Sequence, residues 1–240
     1  LDAIVASADI SAGEKVLEIG PGLGTLTQKL ADAGAEVLAL EFDRDLIKGL
    51  EKKFHTSQVK IVEGDIRSYD FRTLPAPYKV VANIPYYLTS HLIRSMSETE
   101  SPPKRAVLLI QKEVAQRLCA QAGDMSILAV TAQLYFDCQL STEVPARYFT
   151  PPPKVDSQVV VMHRREQLLF DVEPKKFFRL VKAGFSEKRK TLRNSLSGGL
   201  AISKVDAEQI LRSAKIDEGL RAQALSMQQW YDLYRAFSAT

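Results

Sequence analysis

KVLEIGPGLG (Lys15–Gly24) is a short apolar run that closes on three glycines, each separated from the next by one residue. Lys15 to Gly20 reads as a buried strand, and the glycines form a turn that opens a helix over Thr25 to Ala33. Glycine has no Cβ and accepts the left-handed backbone, so a turn of this kind lets main chain approach a ligand closely, as in dinucleotide folds. A nicotinamide fingerprint G-x-G-x-x-G beginning at Gly20 would need a third glycine where Thr25 stands; the spacing is G-x-G-x-G instead. No Walker pattern is present, which disfavours a phosphate cradle.

Outward from this turn, the first 110 residues alternate β-rich runs with helical segments, the pattern of a parallel sheet with crossover helices. Strands are expected at Glu36–Glu41, Val59–Glu63, Lys79–Asn83 and Arg105–Gln111, with helices over Asp43–Phe54 and Thr89–Ser97 and another from Lys112. Apolar spacing from Ile127 to Tyr135 predicts a further helix. Two last strands, near Gln139–Val144 and Val155–His163, flank Pro151-Pro152-Pro153 and are expected to pair antiparallel across their short connection. Beyond Glu166 the pattern is helical only. Ser197-Gly198-Gly199 is expected to end the basic segment. Ser203 is read as a helix cap, and Ser226 with Gln229 as a capping box ahead of a core stripe of Trp230, Leu233, Tyr234 and Phe237. The expected fold is thus α/β, a Rossmann-like sheet that is mostly parallel with its last strand antiparallel, followed by a small all-helical domain. The boundary is placed between residues 168 and 169.

The chain of 240 residues has 45% hydrophobic and 25% charged residues, and no run approaches the roughly 18 apolar residues of a membrane span. A soluble, cytoplasmic protein without a secretory leader is expected. Cys119 and Cys138 lack metal-ligand spacing, and His55, His91 and His163 are scattered, so no metal is expected. Net charge is +3, unevenly spread: residues 1–168 carry 19 Lys+Arg against 21 Asp+Glu, whereas residues 169–240 carry 13 against 8. Arg179, Lys182, Lys188, Arg189, Lys190 and Arg193 crowd together opposed only by Glu187, which points to a polyanionic partner.

Four strand ends carry the chemistry. Glu18 precedes the first glycine by two residues, an arrangement seen in methyltransferases that use S-adenosylmethionine. Glu41, at the second strand end, can accept bonds from both ribose hydroxyls of such a cofactor. At the third, Asp65 could accept the adenine amino proton and the Ile66 N–H could read a ring nitrogen. The fourth strand ends in Asn83-Ile84-Pro85-Tyr86. An exocyclic aromatic amine is a poor nucleophile because its lone pair is delocalised. The Asn83 side-chain carbonyl and the Ile84 main-chain carbonyl can accept both of its N–H bonds and pull the nitrogen toward tetrahedral geometry. Pro85 restricts the backbone around Ile84, and Tyr86 offers a ring on which a flat base can stack.

With these motifs, the chain resembles the ribosomal RNA adenine dimethyltransferases, specifically the bacterial small-subunit (16S) type. The marks are Glu18–Thr27 (EIGPGLGTLT), Glu41-Phe42-Asp43, Gly64-Asp65-Ile66, Asn83–Tyr87 (NIPYY), Gln111–Val114 (QKEV), Phe149–Ser157 (FTPPPKVDS) and Lys188–Leu196 (KRKTLRNSL). The resemblance covers essentially the whole chain and implies a class I methyltransferase domain over 1–168 and an RNA-binding helical domain over 169–240. It implies transfer of methyl groups from S-adenosylmethionine to N6 of two adjacent adenosines in the hairpin near the 3′ end of small-subunit RNA, two on each. The implied cofactor residues are Glu18, Gly20, Gly22, Gly24, Glu41, Phe42, Asp65, Ile66 and Asn83. The implied target-base residues are Asn83, Ile84, Pro85 and Tyr86, with Phe149 completing a sandwich around the base. Lys188, Arg189, Lys190 and Arg193 are expected to contact RNA phosphates from a cleft between the domains, in a monomer acting on small-subunit RNA or the immature particle. The rivals are a large-subunit adenine methyltransferase of the antibiotic-resistance type and a non-catalytic assembly factor that keeps the fold. The Lys190–Leu196 stretch favours the small-subunit type, and the intact acidic and Asn83 positions argue against lost chemistry. The family's upstream Gln-x-Phe-Leu segment is not found ahead of Leu1, so a shortened form is expected.

Overall fold

The computed structural model describes residues 1–55, 58–84 and 86–239, with side chains for all of these except Tyr86. Among them the contacts divide the chain into two compact units. The first contains Leu1–Gln116 and Phe136–Arg164, and the second contains Arg117–Tyr135 and the chain from Arg165 onward.

The first unit is a seven-stranded sheet in the order β3-β2-β1-β4-β5-β7-β6. Its strands are β1 (Lys15–Ile19), β2 (Glu36–Glu41), β3 (Val59–Glu63), β4 (Tyr78–Asn83), β5 (Arg105–Gln111), β6 (Phe136–Val144) and β7 (Ser157–Arg164). The first five run parallel to one another, and β7 is antiparallel to both neighbours, β5 and β6. The expectation of a mostly parallel sheet with its last strand reversed is met. Helices α1 (Asp2–Ala8), α2 (Thr25–Asp32), α3 (Arg44–Lys53), α4 (Thr89–Glu98) and the start of α5 (Lys112–Leu118) belong to the same unit.

Central strands of a parallel sheet are covered on both faces, so they read as continuous apolar runs rather than alternating ones. Tyr78 to Ala82 in β4 and Ala106 to Ile110 in β5 are all buried. One face packs Val16, Val37, Ala39, Val81, Val107 and Val161 with Ile4, Leu26, Leu30 and Leu50 from α1, α2 and α3. At the end of the sheet remote from the glycine turn, the buried Lys79 ammonium donates to the carbonyls of Ala8 and Asp9 and to Glu14, which ties the end of α1 to β4. A lysine can be buried here because each N–H bond has an acceptor.

The second unit is helical: α6 (Ile127–Tyr135), α7 (Pro174–Gly184), α8 (Leu192–Leu200), α9 (Lys204–Ser213) and α10 (Met227–Ser238). Two sequence expectations are corrected within it. The unit boundary falls after Arg164 rather than after residue 168, and residues 117–135, assigned by sequence to the sheet domain, belong to the helical unit. The reason is local bonding. Tyr135 stacks on Phe178 with ring centroids 6.3 Å apart, the Leu169 N–H donates to the Leu134 carbonyl at 2.9 Å, and the Gln223 carbonyl accepts from Gly123 and Met125. The second correction concerns Gly198 and Gly199, which do not end the segment, because α8 runs through both to Leu200. At Gly199 a Cβ would stand 2.6 Å from the Ala183 Cα, so this glycine lets α7 and α8 approach closely. The caps at Ser203 and Ser226 form as expected, each as a complete capping box, and Trp230 and Leu233 are fully buried.

Candidate functional site

Strand register puts the expected site residues in one row. Ile19 pairs with Leu40 on one side and with Ala82 on the other, so the next residues, Gly20, Glu41 and Asn83, stand side by side at the C-terminal edge of the sheet. Glu41 pairs with Glu63, which brings Gly64 and Asp65 to the same edge. Neighbouring strands lie about 4.8 Å apart, so the Glu41 and Asn83 backbones are separated by roughly 10 Å, the scale of a nucleoside. Ligands of open α/β sheets bind at this edge.

The glycine turn is shaped by three left-handed residues, Gly20 (φ +67°), Gly22 (+58°) and Gly24 (+74°). At Gly20 and Gly22 nothing lies within 4 Å of where a Cβ would be, leaving open space above the main chain. Gly24 has a different reason: a Cβ there would meet the Phe54 ring at 2.6 Å and Leu50 at 2.9 Å, so it serves packing against α3. Glu41 holds the turn in place. Its Oε2 accepts the Gly22 N–H at 3.1 Å, while Oε1 accepts the N–H groups of Phe42 at 2.9 Å and Asp43 at 3.0 Å. A carboxylate offers about four acceptor directions, so main chain takes three and about one faces outward. The sequence expectation that Glu41 serves both ribose hydroxyls therefore requires it to share or release a main-chain donor. Phe42, beside it, is 69% exposed, a large apolar ring standing free on the rim.

Glu18 lies beneath the turn, 1% exposed. Neither carboxylate oxygen has a hydrogen bond of normal geometry, and neither does the buried Thr27 hydroxyl. Burial pushes the Glu18 carboxyl up to about 7; Thr27 lies close enough to favour the charged form, and the Glu41 charge adds to the rise. A buried acid without a hydrogen bond of normal geometry, two residues before a glycine turn with open space at Gly20 and Gly22, fits a ligand that carries positive charge. S-adenosylmethionine is such a ligand, and the residues present fit it.

Asp65 is partly buried and bound by Arg67, whose hydrogen bonds hold its carboxyl below the ordinary range. Ile66 is buried. On β4 only Asn83 is exposed, while Ile84 beyond it is 3% exposed, so Ile84 anchors the strand end and Asn83 projects from it. Pro85 and the side chain of Tyr86 lie outside the described residues. Phe149 is half-buried and packs against the sheet's core cluster. Its neighbour Tyr148 is 71% exposed with the Arg147 guanidinium 5.2 Å from its ring centre, an exposed aromatic that sequence reasoning missed. Nothing in the spacing distinguishes Tyr148 from Phe149; accessibility does.

The basic segment divides by partner. Arg193 is committed to two carboxylates, Glu208 at 2.5 Å and Glu218 at 3.4 Å, and Lys190 pairs with Glu187 at 2.6 Å. Lys188 and Arg189 are exposed in the turn between α7 and α8. Lys188 also lines a hollow of about 270 Å³ with Phe185, Arg117 and Arg221, all within the helical unit. Arg117 and Arg221 were not singled out from sequence, because they are remote from one another along the chain. Among the described residues no cluster of metal-ligating side chains is present and no helix is long and apolar enough to cross a membrane.

A family model described as "Ribosomal RNA adenine dimethylase" matches residues 1–238. The chain is 39% identical over 239 residues to "Ribosomal RNA small subunit methyltransferase A" of Dehalococcoides mccartyi, covering 96% of this chain and 81% of that protein. It is 41% identical over 248 residues to the protein of the same name from Trichormus variabilis, covering 97% and 91%. Among solved structures, a dimethyladenosine transferase from Plasmodium falciparum matches with a TM-score of 0.84 at 27% identity, covering 99% of this chain and 94% of that one. The 23S rRNA methyltransferase ErmE matches with a TM-score of 0.76, also at 27% identity, covering 98% and 95%. Given that match across nearly its whole length, and relatives near 40% identity, the chain belongs to the ribosomal RNA adenine dimethylase family.

Proposed function

We propose that this protein transfers methyl groups from S-adenosylmethionine to N6 of two adjacent adenosines in the 3′-terminal hairpin of small-subunit ribosomal RNA, giving N6,N6-dimethyladenosines. The observation that carries this reading is the row Gly20, Glu41, Asn83, which supports a cofactor seat and an amine-binding carbonyl pair on one sheet edge. Relatives near 40% identity named for the small subunit support the choice of RNA.

When bound, S-adenosylmethionine supplies an electrophilic methyl group on a sulfonium. Open main chain at Gly20 and Gly22 gives it room, and the Glu18 and Glu41 carboxylates favour its charge and its ribose. The Asn83 Oδ1 and the Ile84 carbonyl accept the two N–H bonds of the target amine, which localises the nitrogen lone pair and aims it. Burial of Ile84 fixes the carbonyl that follows β4. No general base is required, because the alkylated amine is strongly acidic and loses its proton to water. Phe149, the exposed Tyr148 and the Tyr86 position supply aromatic surface for an extruded base. Lys188 and Arg189 supply phosphate contacts whose strength falls with salt. We take the active form to be a cytoplasmic monomer.

The test is methyl transfer from labelled cofactor to purified small and large ribosomal subunits. Label on two adjacent small-subunit adenosines supports the reading; label confined to the large subunit would replace it with the antibiotic-resistance type, and RNA binding without transfer would leave an assembly factor.

A further inference from the structure

Arg67 grips the acid that the proposed function assigns to the cofactor's adenine. Oδ1 of Asp65 accepts the Arg67 main-chain N–H at 2.9 Å and its Nε–H at 3.1 Å. Oδ2 accepts the same Nε–H at 2.9 Å and an Nη2–H at 2.6 Å. With one donor shared between the oxygens, Arg67 fills about three of the roughly four acceptor directions of a carboxylate. The carboxyl plane cannot turn without breaking the fork and the main-chain bond together. A planar guanidinium has this effect and a lysine ammonium does not.

We propose that Arg67 is a positioning residue for cofactor recognition: it clamps Asp65 so that the remaining acceptor direction meets the exocyclic amine of a purine and opposes a 6-oxo group. The inference rests on reading Asp65 as the adenine acceptor. An unclamped aspartate can rotate to relieve repulsion from a 6-oxo purine; a clamped one cannot, so the clamp converts a hydrogen bond into a preference. Stability does not account for the pair, because both side chains reach solvent and exposed ion pairs contribute little. The same hydrogen bonds keep Asp65 ionised, hence an acceptor only.

The chain supplies its own control. Five residues on, Asp70 accepts from the Arg72 main-chain N–H at 3.0 Å, from Nε at 2.9 and 3.2 Å and from Nη2 at 2.9 Å, the same local arrangement at a position with no assigned role in the site.

Calorimetric binding of S-adenosylhomocysteine and of its hypoxanthine counterpart, S-inosylhomocysteine, tests the clamp in the full chain. Arg67→Ala should weaken the adenine ligand by about threefold to tenfold, as for loss of one orienting contact, and tighten the inosine ligand, because the freed aspartate can turn away from the 6-oxo group, so that the preference shrinks by more than the adenine loss alone. Arg72→Ala should alter neither, and Arg67→Lys should fail to restore the preference. Unchanged or tighter adenine binding in Arg67→Ala would overturn the clamp and make Arg67 a bystander or a competitor for Asp65. Full rescue by lysine would also overturn it, since charge alone would then suffice. Asp65→Asn separates the two layers. If it leaves the adenine preference intact, the reading of Asp65 itself fails; if it removes the preference while Arg67→Ala does not, only the clamp fails.

Discussion

The Glu41 carboxylate accepts the Gly22 N–H at 3.1 Å, so the residue that ends β2 holds the loop that follows β1. Two motifs nineteen residues apart are thereby one mechanical unit, and the loop's shape depends on an acid expected to bind ligand as well.

Glu41→Gln therefore has two effects. One oxygen becomes an NH₂ group that faces main-chain donors, and hydrogen bonds to a charged acceptor contribute about 1.5–3 kcal/mol each. A stability loss of about 1–3 kcal/mol in urea unfolding is expected, together with at least tenfold weaker cofactor binding and faster amide exchange at Gly22. Weaker binding with unchanged exchange at Gly22 would show that the acid acts on ligand alone.

Asn83 is exposed at the end of a buried strand, so its replacement costs no core packing. Asn83→Ala should lower methyl transfer by about 10²–10³-fold, the usual effect of removing one transition-state hydrogen-bond partner. The unfolding midpoint and RNA affinity should stay within error. A parallel fall in RNA binding would place Asn83 in ground-state recognition instead.

Stability should depend on pH through Glu18. Its carboxyl ordinarily titrates near 4.5 but is pushed up to about 7 in the fold. The folded chain therefore holds this proton more tightly, so the Glu18 contribution is most favourable below about 4.5, falls as pH rises and levels off above 7. The full change is at most about 3 kcal/mol. Glu14 acts in another window: burial raises its carboxyl, but hydrogen bonds from Lys104 and Lys79 outweigh this and lower it to about 2, so its contribution is lost as pH falls from 4.5 toward 2. Glu18→Gln should flatten the ligand-free stability profile between pH 5 and 7, as followed by urea midpoints; a slope equal to wild type would remove Glu18 as its source.

The two glycines of α8 should respond in opposite senses to alanine. Gly198 is exposed and a Cβ there meets only Glu187 Oε1 at 3.7 Å, so Gly198→Ala should stabilise by about 0.5–1 kcal/mol. At Gly199 the Cβ would strike the Ala183 backbone, and Gly199→Ala should destabilise by about 1–3 kcal/mol. Thermal unfolding of both variants checks the sign.

Charge reversal should separate the basic residues. Lys188→Glu and Arg189→Glu should each weaken RNA binding and lower the magnitude of its log–log salt slope by about one. Arg193→Ala should act mainly on stability, because it leaves Glu208 and Glu218 without their shared cation. A salt slope for Arg193→Ala that falls as much as for the turn residues would show that it too reaches phosphate.

The parallel sheet, and the edge at which the candidate site residues meet, were legible in the residues. Glu36–Glu41, Val59–Glu63 and Arg105–Gln111 form strands with the expected bounds, and Thr25 and Thr89 start the expected helices. Buried strands, glycine turns and helix caps are local events, and local events leave local patterns. Placing Glu18, Glu41, Asp65 and Asn83 at strand ends likewise needed only strand lengths and the rule that parallel strands end on one edge. What the chain does beyond the neighbourhood of each residue was not legible. The apolar stripe of α6 looks the same whichever unit it joins, and Tyr135 on Phe178 decides it. Gly199 resembles a helix terminator until Ala183 comes within contact distance. Arg193 resembles its basic neighbours until two glutamates from other parts of the chain surround it, and Arg117 comes beside Lys188 and Arg221 only through folding. Sequence by itself determined the kind of sheet and the chemistry available at its edge, because periodicity and motif spacing act over a few residues. Tertiary structure alone decided which charges are already satisfied, which glycines serve packing and where the units divide, because those depend on partners that are distant along the chain.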